Sequence, residues 1–201
     1  MALQHFNKET MFVHILSLLI EVLAGVVGAA ALLRAYLQFH FIPLSVKSGN
    51  PFAPFLFSTT NWLVMPLRKI MPSWGRLDTS SLLAAYLVVV AKCAALAYMG
   101  VLSSEPLALF LDSIYAMLSL ILSCLSSLTL AYALLSWIQT GSPVFDLMSR
   151  MVLPLLAPIR RRVPPIGGLD LSVFVLLILL QVVEIVLRDG HIYLLRLIWA
   201  T

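Results

Sequence analysis

Four ionisable side chains, Glu21, Lys92, Asp112 and Glu184, lie within or beside long apolar runs of this 201-residue chain. A charge in such surroundings is costly unless it faces protein or water. Each is therefore a candidate for an ion pair, a proton or ion route, or a side chain that snorkels to the bilayer edge. Lys92 and Glu184 stand 92 positions apart, and that spacing matters below. The pattern predicts a buried ion pair of Lys92 with Glu184 or with Glu21, with helix packing as its first purpose. Asp112, five residues inside its apolar run, is expected to reach the headgroups.

Other chemistry is thinly represented. Cys93 and Cys124 sit inside apolar runs and read as small packing residues. The histidines His5, His14, His40 and His191 show no ligand spacing to one another. His14 and Glu21 share one helical face, with nothing to support them as a pair. There is no phosphate-cradling glycine loop, no metal-spaced cluster and no nucleophile with a base. No catalytic residue, no metal and no cofactor is expected, and the chain is read as a protein that is not an enzyme.

The elements that must position these residues follow from composition. The chain is 61% hydrophobic and 11% charged, with a mean hydropathy of +1.01. Soluble domains run nearer 45–50% apolar and 25% charged. Lipid is the solvent that suits such a chain, and about 20 apolar residues cross its core as a helix. Four runs qualify: Met11–Phe39, Ser80–Leu102, Leu107–Ile138 and Leu171–Leu187. The tail His191–Trp199 either lies in the interface or extends the last helix after a break at Gly190. The reading is an all-α membrane protein of four transmembrane helices in a single domain, 1–201.

The turn at Ser103–Pro106 makes the second and third helices an antiparallel hairpin. The two other connections are long, and each holds a proline-bounded apolar stretch, Pro51–Met65 and Pro143–Ala157. Such a stretch lies in the interface or dips in and returns. These connections carry Lys47, Arg68, Lys69, Arg76, Arg150, Arg160, Arg161 and Arg162, whereas the opposite side carries Lys8, Arg188 and Arg196. The positive-inside bias then places the long connections in the cytoplasm and both termini in the periplasm of a bacterial inner membrane. The net charge of +4 is spread over short loops beside apolar runs, so it points to anionic lipid headgroups and not to nucleic acid.

Shifting the chain by 92 residues aligns Pro66, Arg68, Pro72, Gly75, Leu77, Asp78 and Ser80 with Pro158, Arg160, Pro164, Gly167, Leu169, Asp170 and Ser172. Seven of fifteen consecutive positions are identical without a gap. Two repeats are expected, at about 11–103 and 107–198, each a helix, a proline-bounded connector, the motif and a second helix. Two helices per copy return the chain to the same side, so the copies should be parallel. Lys92 and Glu184 then occupy equivalent places, each 12 residues past its motif serine.

Each motif position has a physical reading. The prolines forbid a continuous helix and hold an extended link. The arginines sit at headgroup level, where anionic lipid attracts them. Gly75 and Gly167 permit a turn. Asp78 and Asp170 cap the next helix, with Ser80 and Ser172 in its first turn. The plainest role is punctuation at the membrane surface; the sharper one is a pair of basic elbows that dock a partner or lipid. Small residues at Gly25 and Ala29, and at Ser119, Ser123, Ser127 and Ala131, suit close helix contact or line a polar groove.

This twice-repeated motif between apolar helices resembles the YggT family, also called YlmG-like, in its two-repeat proteobacterial form. Trp74 and Arg76 depart from the small residues more usual around the glycine, so the first copy is the more divergent. The resemblance implies an integral membrane protein connected with osmotic stress, cell division or nucleoid organisation, or cytochrome assembly. It implies no catalytic residue. A scaffold or assembly factor that recruits a membrane-protein partner or associates with itself is the favoured expectation. A small transporter or channel component for ion or osmotic balance is the alternative.

Overall fold

The computed structural model describes residues 2–44, 50–71, 77–138, 142–162 and 170–199. Among these residues the secondary structure is helical, in the order α1 (Ala2–Phe39), α2 (Ala53–Ile70), α3 (Thr79–Tyr98), α4 (Pro106–Ile138), α5 (Pro143–Arg160) and α6 (Leu171–Trp199). Four are long and apolar enough to cross a membrane, namely Met11–Phe39 of α1 and the whole of α3, α4 and α6. That is the architecture of a multi-pass membrane protein. At 1.5 Å per residue even α3, with 20 residues, reaches about 30 Å, the thickness of the hydrocarbon core.

The ends of the helices follow local rules. Asn50 Oδ1 accepts from the Phe52 N–H ahead of α2, and Ser142 Oγ accepts from the Phe145 N–H at the start of α5. Both satisfy donors that the first turn leaves free. Gly100, at φ +74°, closes α3 in the left-handed conformation that glycine adopts cheaply, and the Val101 N–H reaches back to the Leu96 carbonyl. Pro106 then opens α4, where its missing N–H costs nothing.

The long helices pack in two pairs, α1 with α3 and α4 with α6. The 18-residue α2 lies against α1 and α3, and the 18-residue α5 lies against α4 and α6. The halves join through α4, which packs on both α3 and α1. The order long, short, long thus occurs twice, and α3 and α6 begin 92 positions apart, at Thr79 and Leu171. The short helices are amphipathic. Leu56, Thr60 and Val64 of α2, and Met151, Val152 and Leu156 of α5, are almost wholly buried, at the spacing of one helical face. Outward-facing Leu18, Leu23, Ile178 and Val186 remain largely exposed, as expected of helix faces that meet lipid.

Two expectations change here. Pro66 and Pro158 do not hold an extended link, for they lie inside α2 and α5. Each removes one backbone donor, but both sit on the exposed face near the helix end, where few later turns depend on that bond. The last helix shows no break at Gly190: α6 runs on to Trp199, and the open space around Gly190 makes no demand for a turn. Pro72, Gly75, Pro164, Gly167 and Leu169, with Trp74 and Arg76, lie outside the described residues.

Candidate functional site

The motif residues build the same ion pair twice. In the first half Asp78 is the N-cap of α3 and is fully buried. Its Oδ2 accepts from Arg68 Nη2 at 2.7 Å and from Ser81 Oγ at 2.7 Å. Its Oδ1 accepts from the Ser81 N–H. Ser80 Oγ donates to the Met71 carbonyl, tying the first turn of α3 to the end of α2. In the second half Asp170 accepts from Arg160 Nε at 2.9 Å and from Arg160 Nη2. Its other oxygen accepts from the Ser172 N–H and hydroxyl. Each clamp links the last turns of an amphipathic helix to the start of a spanning helix across ten residues.

The second carboxylate lies at the edge of the membrane span, and its ionisation reports the clamp. Burial pushes the Asp170 pKa up. Hydrogen bonds from Ser172 and Arg160, with the Arg160 charge, outweigh that and hold it below its ordinary 3.8. Burial also lowers Arg160, and its hydrogen bonds to Asp170 and Tyr132 more than reverse this, so its pKa is raised.

Arg34 joins the first clamp and was missed by sequence reasoning. It lies on α1 with 5% of its surface exposed, with Nε 3.9 Å from Asp78 Oδ2. Its Nη1 donates to Thr60 Oγ1 at 3.0 Å and to Asn61 Oδ1 at 2.8 Å, and its guanidinium lies over the Phe57 ring. Three helices therefore meet at Asp78. The available signal was a lone arginine near the end of an apolar run whose other charge is Glu21. The second clamp has a tyrosine in place of a second cation, for Arg160 Nη2 donates to the Tyr132 hydroxyl at 3.1 Å. Lys69, Arg161 and Arg162, adjacent in sequence to the clamped arginines, are exposed.

The intramembrane charges are arranged otherwise than expected. Among the described residues no ion pair joins Lys92 to Glu184 or Glu21. For Glu184 the reason is topological: α4 packs between α3 and α6, which carry Lys92 and Glu184. Glu184 instead accepts from Ser119 Oγ of α4 at 2.6 Å, and its Oε2 is buried without a hydrogen-bond partner. Glu21 is exposed on the outer face of α1. Asp112, expected to reach out to the headgroups, turns inward to α6 instead. It is 6% exposed, and its Oδ1 lies 2.8 Å from His191 Nε2 of α6. Tyr115 stacks on the same imidazole with ring centroids 4.3 Å apart.

These contacts form two rungs of one ladder. Asp112 and Ser119 are seven residues apart on α4, as are Glu184 and His191 on α6. Seven residues are two turns, so both rungs fall on the seam of an antiparallel helix pair. The small-residue stripe of α4 is thereby divided. Ser119 holds a rung, whereas Ser123 and Ser127 line an open apolar groove that Gly25 and Ala29 of α1 also line. The close approach of α1 to α4 is at Gly28 instead, where an added Cβ would stand 2.8 Å from Leu120 Cδ2. Cys93 is a buried free thiol, and Cys124 is a partly buried one that lines the same groove.

The family model described as CCB3/YggT matches residues 13–99 and 111–190, one segment in each half. The chain is 37% identical over 179 residues to an uncharacterised protein of Vibrio alginolyticus, covering 87% of this chain and 94% of the relative. It is 33% identical over 136 residues to the uncharacterised protein YggT of Escherichia coli K12, covering 67% and 71%. It is 32% identical over 167 residues to an uncharacterised protein of Pseudomonas aeruginosa, covering 81% and 85%. No solved structure matches.

Proposed function

The chain belongs to the CCB3/YggT family, and from that premise we propose that it is a non-catalytic scaffold or assembly factor of the bacterial inner membrane. The carrying observation is the clamp built twice, Arg68 on Asp78 and Arg160 on Asp170. A clamp fixes the direction in which a spanning helix leaves the surface on which the amphipathic helix lies. It also consumes one arginine per elbow and leaves Lys69, Arg161 and Arg162 exposed beside it. Those cations, held on rigid elements, form a basic platform for an acidic partner segment. In this reading the platform faces the cytoplasm and both termini face the periplasm, following the bias of basic residues. Parallel repeats put both elbows on that one face. The setting of such a scaffold is envelope organisation, osmotic stress, division or cytochrome assembly.

The test is a triple charge reversal, Lys69→Glu with Arg161→Glu and Arg162→Glu, in full-length protein in native membranes. The scaffold reading expects unchanged folded yield and loss of the partners that co-purify with the wild type. Identical partner sets in both proteins contradict it.

One observation favours a second reading, a small transporter or channel component. Glu184 places a buried, unpartnered carboxyl oxygen inside a membrane span, and such groups line ion routes. Liposomes that carry the purified protein would then show an ion flux that Glu184→Gln abolishes. Absence of flux in the wild type removes this reading.

A further inference from the structure

Two cavities adjoin at the connector end of the molecule. The larger, about 710 Å³, is an apolar groove lined by Gly25 and Ala29 of α1, Ser123 and Ser127 of α4, Phe52 of α2 and Met148 of α5, among others. The smaller, about 220 Å³, is lined by Asn50, Pro51, Asp146, Leu147 and Arg150, among others. Phe52 and Met148 line the first, and their chain neighbours Pro51 and Leu147 line the second, so the two spaces lie on either side of the same two residue pairs. The junction lies just beyond Phe39, where the apolar span of α1 ends.

The lining of each space specifies half of a ligand. The groove offers a length of apolar wall with small residues at its base, which suits an acyl chain. The smaller space offers opposite charges one helical turn apart on α5, Asp146 and Arg150. Both are exposed, and no ion pair joins them to each other or to another described side chain. The same space lies at the N-terminal ends of α2 and α5, whose dipoles favour a negative group. We propose that the two cavities together bind one glycerophospholipid with a phosphate and an ammonium in its headgroup. The phosphate meets Arg150, the ammonium meets Asp146, and an acyl chain fills the groove. The charge pattern disfavours a wholly apolar partner helix, which would fill the groove and leave the smaller space empty. It also decides against a purely anionic lipid, which Asp146 repels.

The experiment uses full-length protein in detergent, stripped of lipid and then titrated with phosphatidylethanolamine or phosphatidylglycerol, with adducts read by native mass spectrometry. Wild type is expected to retain phosphatidylethanolamine in preference. Arg150→Gln lowers retention of both lipids about tenfold, the loss of one charge-assisted hydrogen bond. Asp146→Asn keeps binding and loses the preference. Gly25→Leu, which meets no atom within 4 Å at its Cβ, leaves the fold intact and displaces the chain from the groove. Equal retention of either lipid by all four proteins overturns the proposal. So does cross-linking of a second polypeptide, but no lipid, to a photoreactive residue at Ser127.

Discussion

At the scale of the residue, this protein uses its charges as joints. Asp78 is fully buried between Arg68 and Arg34. Removing one partner of a buried ionic cluster costs about 3–5 kcal/mol, because the remaining charge keeps its desolvation penalty and loses its compensation. Arg68 is 43% exposed at its side chain, which argues for the lower end of that range. Asp78→Ala is expected to lower stability accordingly in equilibrium unfolding in mixed detergent, and Arg68→Gln to cost less. The second clamp makes a prediction in pH. A carboxylate with a depressed pKa stabilises the fold above its unfolded value and loses that contribution as pH falls through the folded one. For Asp170 the ordinary value is 3.8 and the folded value lies lower. The difference in melting temperature between wild type and Asp170→Asn should therefore be constant from pH 7 to about pH 4 and shrink below that. A difference that instead grows on acidification would contradict the clamp.

At the scale of the element, the four spans were legible because length and apolar content suffice to define a membrane helix. The clamps were only partly legible. The motif gave Arg68, Asp78, Arg160 and Asp170 as special positions, but not as bonded pairs, since a ten-residue separation across a turn has no periodic signature. Arg34, Thr60, Asn61 and Tyr132 were illegible for a different reason: they are brought in by packing between helices far apart in the chain. The Asp112–His191 rung is of the same kind. The expected pairing of Lys92 with Glu184 fails because equivalent places in two repeats do not say which helix lies between them. Packing at α1–α4 gives a test at this scale. Gly28→Ile should cost about 1–3 kcal/mol by overfilling the contact with Leu120, whereas Gly25→Ala, facing open space, should be neutral in the same unfolding assay. Equal effects would place the α1–α4 contact elsewhere. Pro66→Ala should leave α2 helical and stability within about 1 kcal/mol of wild type, since it returns a donor without disturbing the buried face.

At the scale of the whole molecule, each half joins two spanning helices and an amphipathic helix, and α4 binds the halves together. The exposed apolar faces of α1 and α6 supply contact with lipid, while the elbows supply the charged surface. The proposed function needs both elbows to stand on one side of the membrane, for otherwise there is no common platform. Thiol labelling tests this most directly. Single cysteines in place of Lys69 or Arg161, in a background with Cys93 and Cys124 replaced by alanine, would be exposed to a membrane-impermeant maleimide in intact and in broken cells. Both positions are expected to remain unlabelled in intact cells and to label once the cytoplasmic side is opened. Labelling of one in intact cells and of the other only after breakage would contradict the proposed function.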